Sequence, residues 1–393
     1  MKKPILGFAV FLLTIGVIAF HPSIDARTID TGDRLTYANR PVVDVVFVLD
    51  TTGSMSGLIQ TAKEKIWSIA TTMASAQPAP EIRIGLVAYR DRGDAYVTKT
   101  VDLSSDLDSV YAALMDFQAD GGGDMPESVN AALERAVNDM SWSESRQAYQ
   151  VIFLVGDAPP HADYQDEAQY PEILAAANER GIIVNAIQCG DLQPTVVAWT
   201  DIAHRGNGSF FQVEQAGGAV AYSTPYDAEL AALSAKLDAT RVYYGTDEER
   251  EAMAEKTAAA DKLSALASDE AKARRGVFNL SESGRTNLLG KKELIDDVAS
   301  GVVEIDDLSE EELPAAIVAM APGEQRAFIQ ELADERADVT QRMRALAESR
   351  DEYIKEKLDE DGGAEESLDQ KLYDTIARQA REEGLEYADG PAY

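Results

Sequence analysis

The sequence predicts an α/β fold: a doubly wound, mostly parallel sheet with one antiparallel edge strand, followed by an α-helical region. Three observations predict it. Apolar runs of strand length recur between residues 41 and 240: "VVDVVFVLD", "EIRIGLVAY", "AYQVIFLVGD", "IIVNAIQCG" and "SFFQVEQ". Helix-spaced patterns separate them, and strands that are apolar throughout imply a sheet covered on both faces. After about Arg241 the strand-like runs mostly stop, and Ala, Glu, Asp, Lys and Arg dominate.

Taken in order, the chain opens on "MKK", then the apolar "ILGFAVFLLTIGVIAF", then "SIDA" ending in the small residue Ala26. This pattern predicts an export signal over residues 1–26, cleaved near Ala26, and so a periplasmic or secreted protein with no membrane span in the mature chain. The alternative is an uncleaved N-terminal anchor. Residues 27–40 are polar and read as a linker. Cys189 is the single cysteine of the 393 residues, so no internal disulfide supports the fold. It lies in a strand-like run and reads as a small buried hydrophobe.

Residues 41–240 form the predicted sheet domain. Ile59, Ala62, Ile66, Ile69 and Met73 repeat at helix spacing after the first strand. "DLDSVYAALMDFQA", "ESVNAALERAVNDM" and "YPEILAAANERG" give further helices. "AYVTKTVDL" alternates and follows the turn "RDRGD", which makes it the antiparallel edge. Residues 241–393 read as an acidic helical region. From Pro322, Leu332, Val339, Leu346 and Tyr353 recur every seventh position, with Ile329, Met343 and Ile354 near the same face. That predicts a long helix packed on a partner helix, with the partner open. "DEDGGAEES" breaks it and "LDQKLYDTIARQA" resumes it, a pattern compatible with a hairpin.

The net charge is −33, which repels nucleic acid and anionic lipid and suits cations or basic partners. Most of these charges belong to a solvated surface.

In an open α/β sheet, ligands sit beyond the carboxyl ends of the strands. Three stretches place oxygen-bearing side chains there: "DTTGS" (Asp50, Thr52, Ser54), "GGGDMPE" (Asp124, Glu127) and "VGDAPPH" (Asp157). Asp50, Thr52 and Ser54 alternate, so an extended loop would aim them at one point. This hard-oxygen set suits Mg²⁺, Mn²⁺ or Ca²⁺ rather than Zn²⁺. Each stretch alone reads more simply as a helix cap or turn. All three at strand ends together resist that reading.

Other chemistries fit less well. Haloacid-dehalogenase-type phosphatases place an acid/base Asp two residues after the nucleophile, where this chain has Thr52. No Gly-rich run ends in Gly-Lys-Ser/Thr. Ser54 lacks a nucleophile-elbow context. His161 falls either on the site rim or on an exposed loop, and His204 reads as a surface residue at a helix end.

"FVLDTTGSM", "GGGDMPESVNAAL" and "VIFLVGDAPP", in that order, resemble a von Willebrand factor type A domain of the exported bacterial type. The resemblance covers about half the chain, residues 41–240. It implies a metal-ion-dependent adhesion site. Thr52 and Ser54 would bind the cation directly, and Asp50, Glu127 and Asp157 directly or through water. "DMPE" is similar to the integrin β version of the second loop, which implies Glu127 as ligand and a second cation near Asp124. Gly57 and Leu58 replace the acidic pair of integrin β, which speaks against a further inhibitory cation. The resemblance implies a binding module, not an enzyme, that takes a carboxylate from an acidic residue of a partner protein. The residues alone leave two other classes open: a metal-assisted hydrolase with His161 as base, and an assembly factor that binds through its C-terminal helices.

Overall fold

The computed structural model describes residues 40–123, 125–145, 147–214, 222–360, 368–387 and 390. The export signal, the linker up to residue 39 and Asp124 lie outside the described residues.

β1 (Val42–Asp50) is apolar on both sides because it lies inside the sheet. Val45, Phe47 and Leu49 join one core, and Val46 and Val48 join the other. α1 (Ser56–Ala74) follows, then β2 (Glu81–Tyr89), β3 (Thr98–Ser104) and α2 (Leu107–Met115). Next come α3 (Val129–Asn138), β4 (Ala148–Gly156), α4 (Tyr170–Glu179), β5 (Ile183–Cys189), α5 (Gln193–Arg205) and β6 (Asn207–Val213). The sheet order is β3-β2-β1-β4-β5-β6. β3 runs antiparallel to β2, as its alternating pattern predicts, and the other pairs are parallel. The chain leaves β1 toward β2 on one side and later returns to β4 on the other. The crevice of the doubly wound fold therefore opens at the carboxyl ends of β1 and β4.

The helical region comprises α6 (Asp227–Ala239), α7 (Asp247–Leu266), α8 (Asp269–Leu280), α9 (Arg285–Leu289), α10 (Leu294–Ala299), α11 (Ala315–Val318), α12 (Pro322–Glu360) and α13 (Leu368–Ala380). It is a multi-helix layer rather than a hairpin. The partner of the long helix lies within the chain: Val339 and Met343 of α12 pack against Leu230, Leu233 and Leu237 of α6. Arg336 of α12 donates to Glu293 at 2.8 Å and to the Thr240 carbonyl at 2.8 Å.

These helices also pack on the sheet domain, so residues 40–393 form one compact unit. Trp67 of α1 lies between Tyr111 of α2, at 5.6 Å, and Phe278 of α8, at 5.8 Å. Arg275 of α8 makes a bidentate ion pair with Asp108 of α2, both bonds 2.6 Å, and bonds Asp238 of α6 at 2.7 Å. Leu372, Ile376 and Ala380 of α13 are buried in the first core. Gln379 accepts from Tyr149 Oη at 2.7 Å and donates to Asn185 at 3.0 Å. Tyr149 and Asn185 stand near the amino ends of β4 and β5, so α13 closes the end of the sheet opposite the crevice.

Candidate metal centre

Asp50 ends β1 and is fully buried. Its Oδ1 accepts from the Thr52 backbone N–H at 2.9 Å and from Thr52 Oγ1 at 2.7 Å. Thr52 is extended (φ −70°, ψ 165°), and Gly53–Met55 then form one 3₁₀ turn. Thr52 Oγ1 and Ser54 Oγ stand 3.3 Å apart. The three side chains converge as expected. The cause differs for Ser54, which is carried by the turn and not by strand alternation.

Glu127 reaches the same place from the second loop. It is 2% exposed. Its N–H donates to the Pro159 carbonyl at 3.0 Å and its carbonyl accepts from the His161 N–H at 3.2 Å, which joins the second and third loops. Gly122 packs between the two loops. A Cβ there would sit 2.9 Å from Thr52 Cβ and 3.3 Å from Glu127 Oε1, and its φ of +73° favours glycine. Asp157, half-buried, follows β4. Its carbonyl accepts from Thr195 Oγ1 at 3.0 Å, and the next carbonyl, of Ala158, accepts from Trp199 Nε1 at 3.0 Å.

Asp50 Oδ2 and Glu127 Oε2 are buried and have no hydrogen-bond partner among the described residues. Burial and the charge of Asp157 push the Asp50 carboxyl up to about 7, against the pull of the Thr52 bonds. Burial, then the charges of Asp50, Asp91, Asp94 and Asp157, push Glu127 up to about 8. An ionised carboxylate buried without a counter-charge is costly. Among the described residues, no three His, Cys, Asp or Glu side chains group as a cation cage on their own. Any ion held here would need the Thr52 and Ser54 hydroxyls as well.

The β4 end is tight. A Cβ at Gly156 would lie 2.4 Å from Tyr89 Oη, 2.9 Å from Asp50 Cβ and 3.1 Å from Asp50 Oδ2. Gly156→Ala should displace Asp50 and destabilise the chain by about 1–3 kcal/mol in urea unfolding, the usual cost of overpacking.

His161 is buried, not exposed. Its Nδ1 lies 2.7 Å from Asp163 Oδ1, its Nε2 faces Asp91 Oδ2 at 3.3 Å, and its ring stacks on Tyr164. Asp91 also accepts from Ser128 Oγ at 2.7 Å and Tyr164 Oη at 3.0 Å. His204 is exposed in the last turn of α5, and Cys189 is buried, both as expected. Sequence reasoning passed over Asp91 and Asp94, in "RDRGD", and α5 with Thr195 and Trp199. "RDRGD" stands at the carboxyl end of β2, where the strand-end rule could have found it. Pro194, followed by Trp199, Ile202 and Ala203 at helix spacing, signals α5.

A doubly wound sheet with an acidic, hydroxyl-lined crevice at the β1 and β4 ends has the general form of the open α/β domains whose ligands sit beyond the strand ends. Residues 44–224 match the family model described as the von Willebrand factor A domain. Over 97 residues the chain is 39% identical to von Willebrand factor A domain-containing protein 7 of Mus musculus, covering 25% of this chain and 10% of that protein. Over 123 residues it is 28% identical to an ariadne-like RING finger protein of Acanthamoeba polyphaga mimivirus, covering 31% of this chain and 12% of that protein. The chain thus spans about a tenth of the length of these curated relatives. Among solved structures, proximal thread matrix protein 1 from the mussel byssus, with a zinc-occupied MIDAS motif, is 16% identical with a TM-score of 0.35, covering 45% of this chain and 42% of that one. The SpRpn10 VWA domain is 14% identical with a TM-score of 0.34, covering 45% of this chain and 89% of that one.

Proposed function

We propose that the chain is an exported protein-binding module whose crevice holds one divalent cation and presents it to a carboxylate of a partner protein. The observation that carries this reading is the pair of buried, unpartnered carboxylate oxygens, Asp50 Oδ2 and Glu127 Oε2, beside two adjoining hydroxyls. Thr52, Ser54, Asp50, Glu127 and Asp157 would hold the ion, and their all-oxygen chemistry favours Mg²⁺, Mn²⁺ or Ca²⁺. When bound, the cation supplies an electrophilic centre that accepts an acidic side chain. The pattern read as an export signal over residues 1–26 is what supports a periplasmic or secreted location. Among the described residues, no helix is long and apolar enough to cross a membrane.

The enzyme reading is less well supported. His161, its only visible base, has a carboxylate against each ring nitrogen. The helical region packs on its own sheet domain, which favours a structural role over partner capture.

A Mn²⁺-loaded chain tests the reading through the water relaxation that the bound ion enhances. Adding an aspartate-containing peptide should lower that enhancement by displacing water, and an otherwise identical asparagine peptide should not. Equal responses to both peptides would sink the proposal.

A pH dependence follows. The folded-state values of Asp50 and Glu127 lie above their ordinary ones, so the folded state binds more protons than the unfolded state between them. The cation-free chain should therefore be most stable, as regards these two groups, below about pH 4 and lose that stability as pH rises through 7 and 8. In EDTA the melting temperature should fall between pH 5 and pH 8. Saturating Mg²⁺ should flatten the fall, and the same slope in both conditions would contradict it.

A further inference from the structure

The glycine loop between α2 and Glu127 is pinned to its surroundings at Gln118, Asp120, Gly121 and Gly122. Arg90 Nη2 donates to the Gln118 carbonyl at 2.9 Å, and Arg90 itself is 5% exposed. The Asp120 N–H donates to the Thr51 carbonyl at 3.1 Å, and the Gly53 N–H to the Gly121 carbonyl at 3.2 Å. The final tether is Asp94. Its Oδ2 accepts from the Gly122 N–H at 3.2 Å and from the Asp91 N–H at 3.2 Å. The Asp94 carboxylate lies so close to Gly121 that a Cβ there would meet it at 2.3 Å.

This last tether has a specific consequence. Gly122 is the residue wedged between Thr52 and Glu127, so whatever fixes Gly122 fixes the spacing of a hydroxyl from one loop and a carboxylate from another. Three of the tethers use backbone groups or the buried Arg90. Arg90 and Asp94 both reach the loop from the β2–β3 turn, Arg90 onto the Gln118 carbonyl and Asp94, by a half-buried side chain, onto Gly122 itself.

We propose that Asp94 is a positioning residue for the crevice: by holding the Gly122 N–H it sets the Thr52–Glu127 separation that admits a divalent cation. The inference rests on the cation reading of the crevice. Asp94 acts through its acceptor oxygen rather than as a ligand. Both N–H groups converge on one oxygen, so an asparagine amide oxygen can replace it, whereas alanine cannot.

The test uses the full chain and MgCl₂ alone, with affinity read by calorimetry and folding read by thermal unfolding in EDTA. Wild type should bind Mg²⁺ saturably. Asp94→Ala should bind about 10–100-fold more weakly, the usual loss when an outer-shell partner of a ligand is removed. Asp94→Asn should restore affinity to within about threefold of wild type, less than half of one tenfold step on the free-energy scale. Stoichiometry should stay unchanged in all three. Failure of wild type to bind would sink the cation reading itself. Normal binding by wild type with equal affinity in Asp94→Ala would overturn this inference alone. So would an Asp94→Asn as weak as Asp94→Ala, or one that loses a second bound ion, since charge or direct ligation would then be the cause.

Discussion

Asp50→Asn should weaken Mg²⁺ binding by about a hundredfold or more and, in EDTA at pH 8, raise the melting temperature above that of the wild type. Both effects have one origin. Asp50 is fully buried, one of its oxygens has no hydrogen-bond partner among the described residues, and its carboxyl is pushed up to about 7. Above that pH the cation-free chain carries a buried charge with nothing opposite it. Asparagine keeps the volume and an oxygen to accept the two Thr52 bonds, and it removes the charge. Loss of an outer-shell partner alone costs ~10–100-fold in metal affinity, so loss of a ligand charge sits at or beyond the upper end. Thermal unfolding with and without Mg²⁺ checks both halves. A variant that is less stable in EDTA at pH 8 and yet binds Mg²⁺ normally would show that Asp50 is a structural acid.

Arg275→Ala should cost about 3–5 kcal/mol in denaturant unfolding, the loss expected when one partner of a buried ion pair is removed. Arg275 is 2% exposed and Asp108 is fully buried. The charge of Arg275, then its hydrogen bonds, outweigh burial and hold the Asp108 carboxyl down at about 2. A lowered acid value means that this pair's contribution is complete above about pH 4 and is lost as pH falls toward 2. Removing the guanidinium strands Asp108 in the seam between α2 and α8. Replacing Asp108 and Arg275 together with apolar residues of similar size should cost less than the single change, because the fully buried Asp108 charge goes with its partner and Asp238 keeps Arg241. A single change that costs under about 1 kcal/mol would mean that the helical region does not brace the sheet domain.

What was legible in the sequence follows from how locally each feature is encoded. β1 and β2 were readable to the residue because strands covered on both faces are apolar almost throughout, with the buried Asp44 of β1 paired to Arg83 of β2, and turns bound each run. α13 matches its "LDQKLYDTIARQA" pattern end to end. The crevice was readable in outline because two of its loops are short motifs abutting β1 and β4, and the third is a glycine-rich motif just before α3. The tie between α2 and the helical region was not, since Asp108 and Arg275 are 167 residues apart and either charge reads as solvated surface. Asp94 was missed for a similar reason. "RDRGD" has the composition of a turn, and only the folded loop shows its carboxylate on Gly122. For His161 the sequence left two readings, site rim or exposed loop, and it is stacking on Tyr164 and the carboxylates of Asp91 and Asp163 that hold it buried beside the second loop.

The most direct test of the central claim is calorimetric titration of MgCl₂ into the cation-free chain at pH 7, in two buffers of different ionisation enthalpy. A cation that takes the place of protons on Asp50 and Glu127 must release them to the buffer. Saturable binding with net proton release is the predicted result, with both signals lost in Asp50→Asn. Absence of saturable binding for Mg²⁺, Mn²⁺ and Ca²⁺ alike, or binding unchanged in Asp50→Asn, would contradict the account.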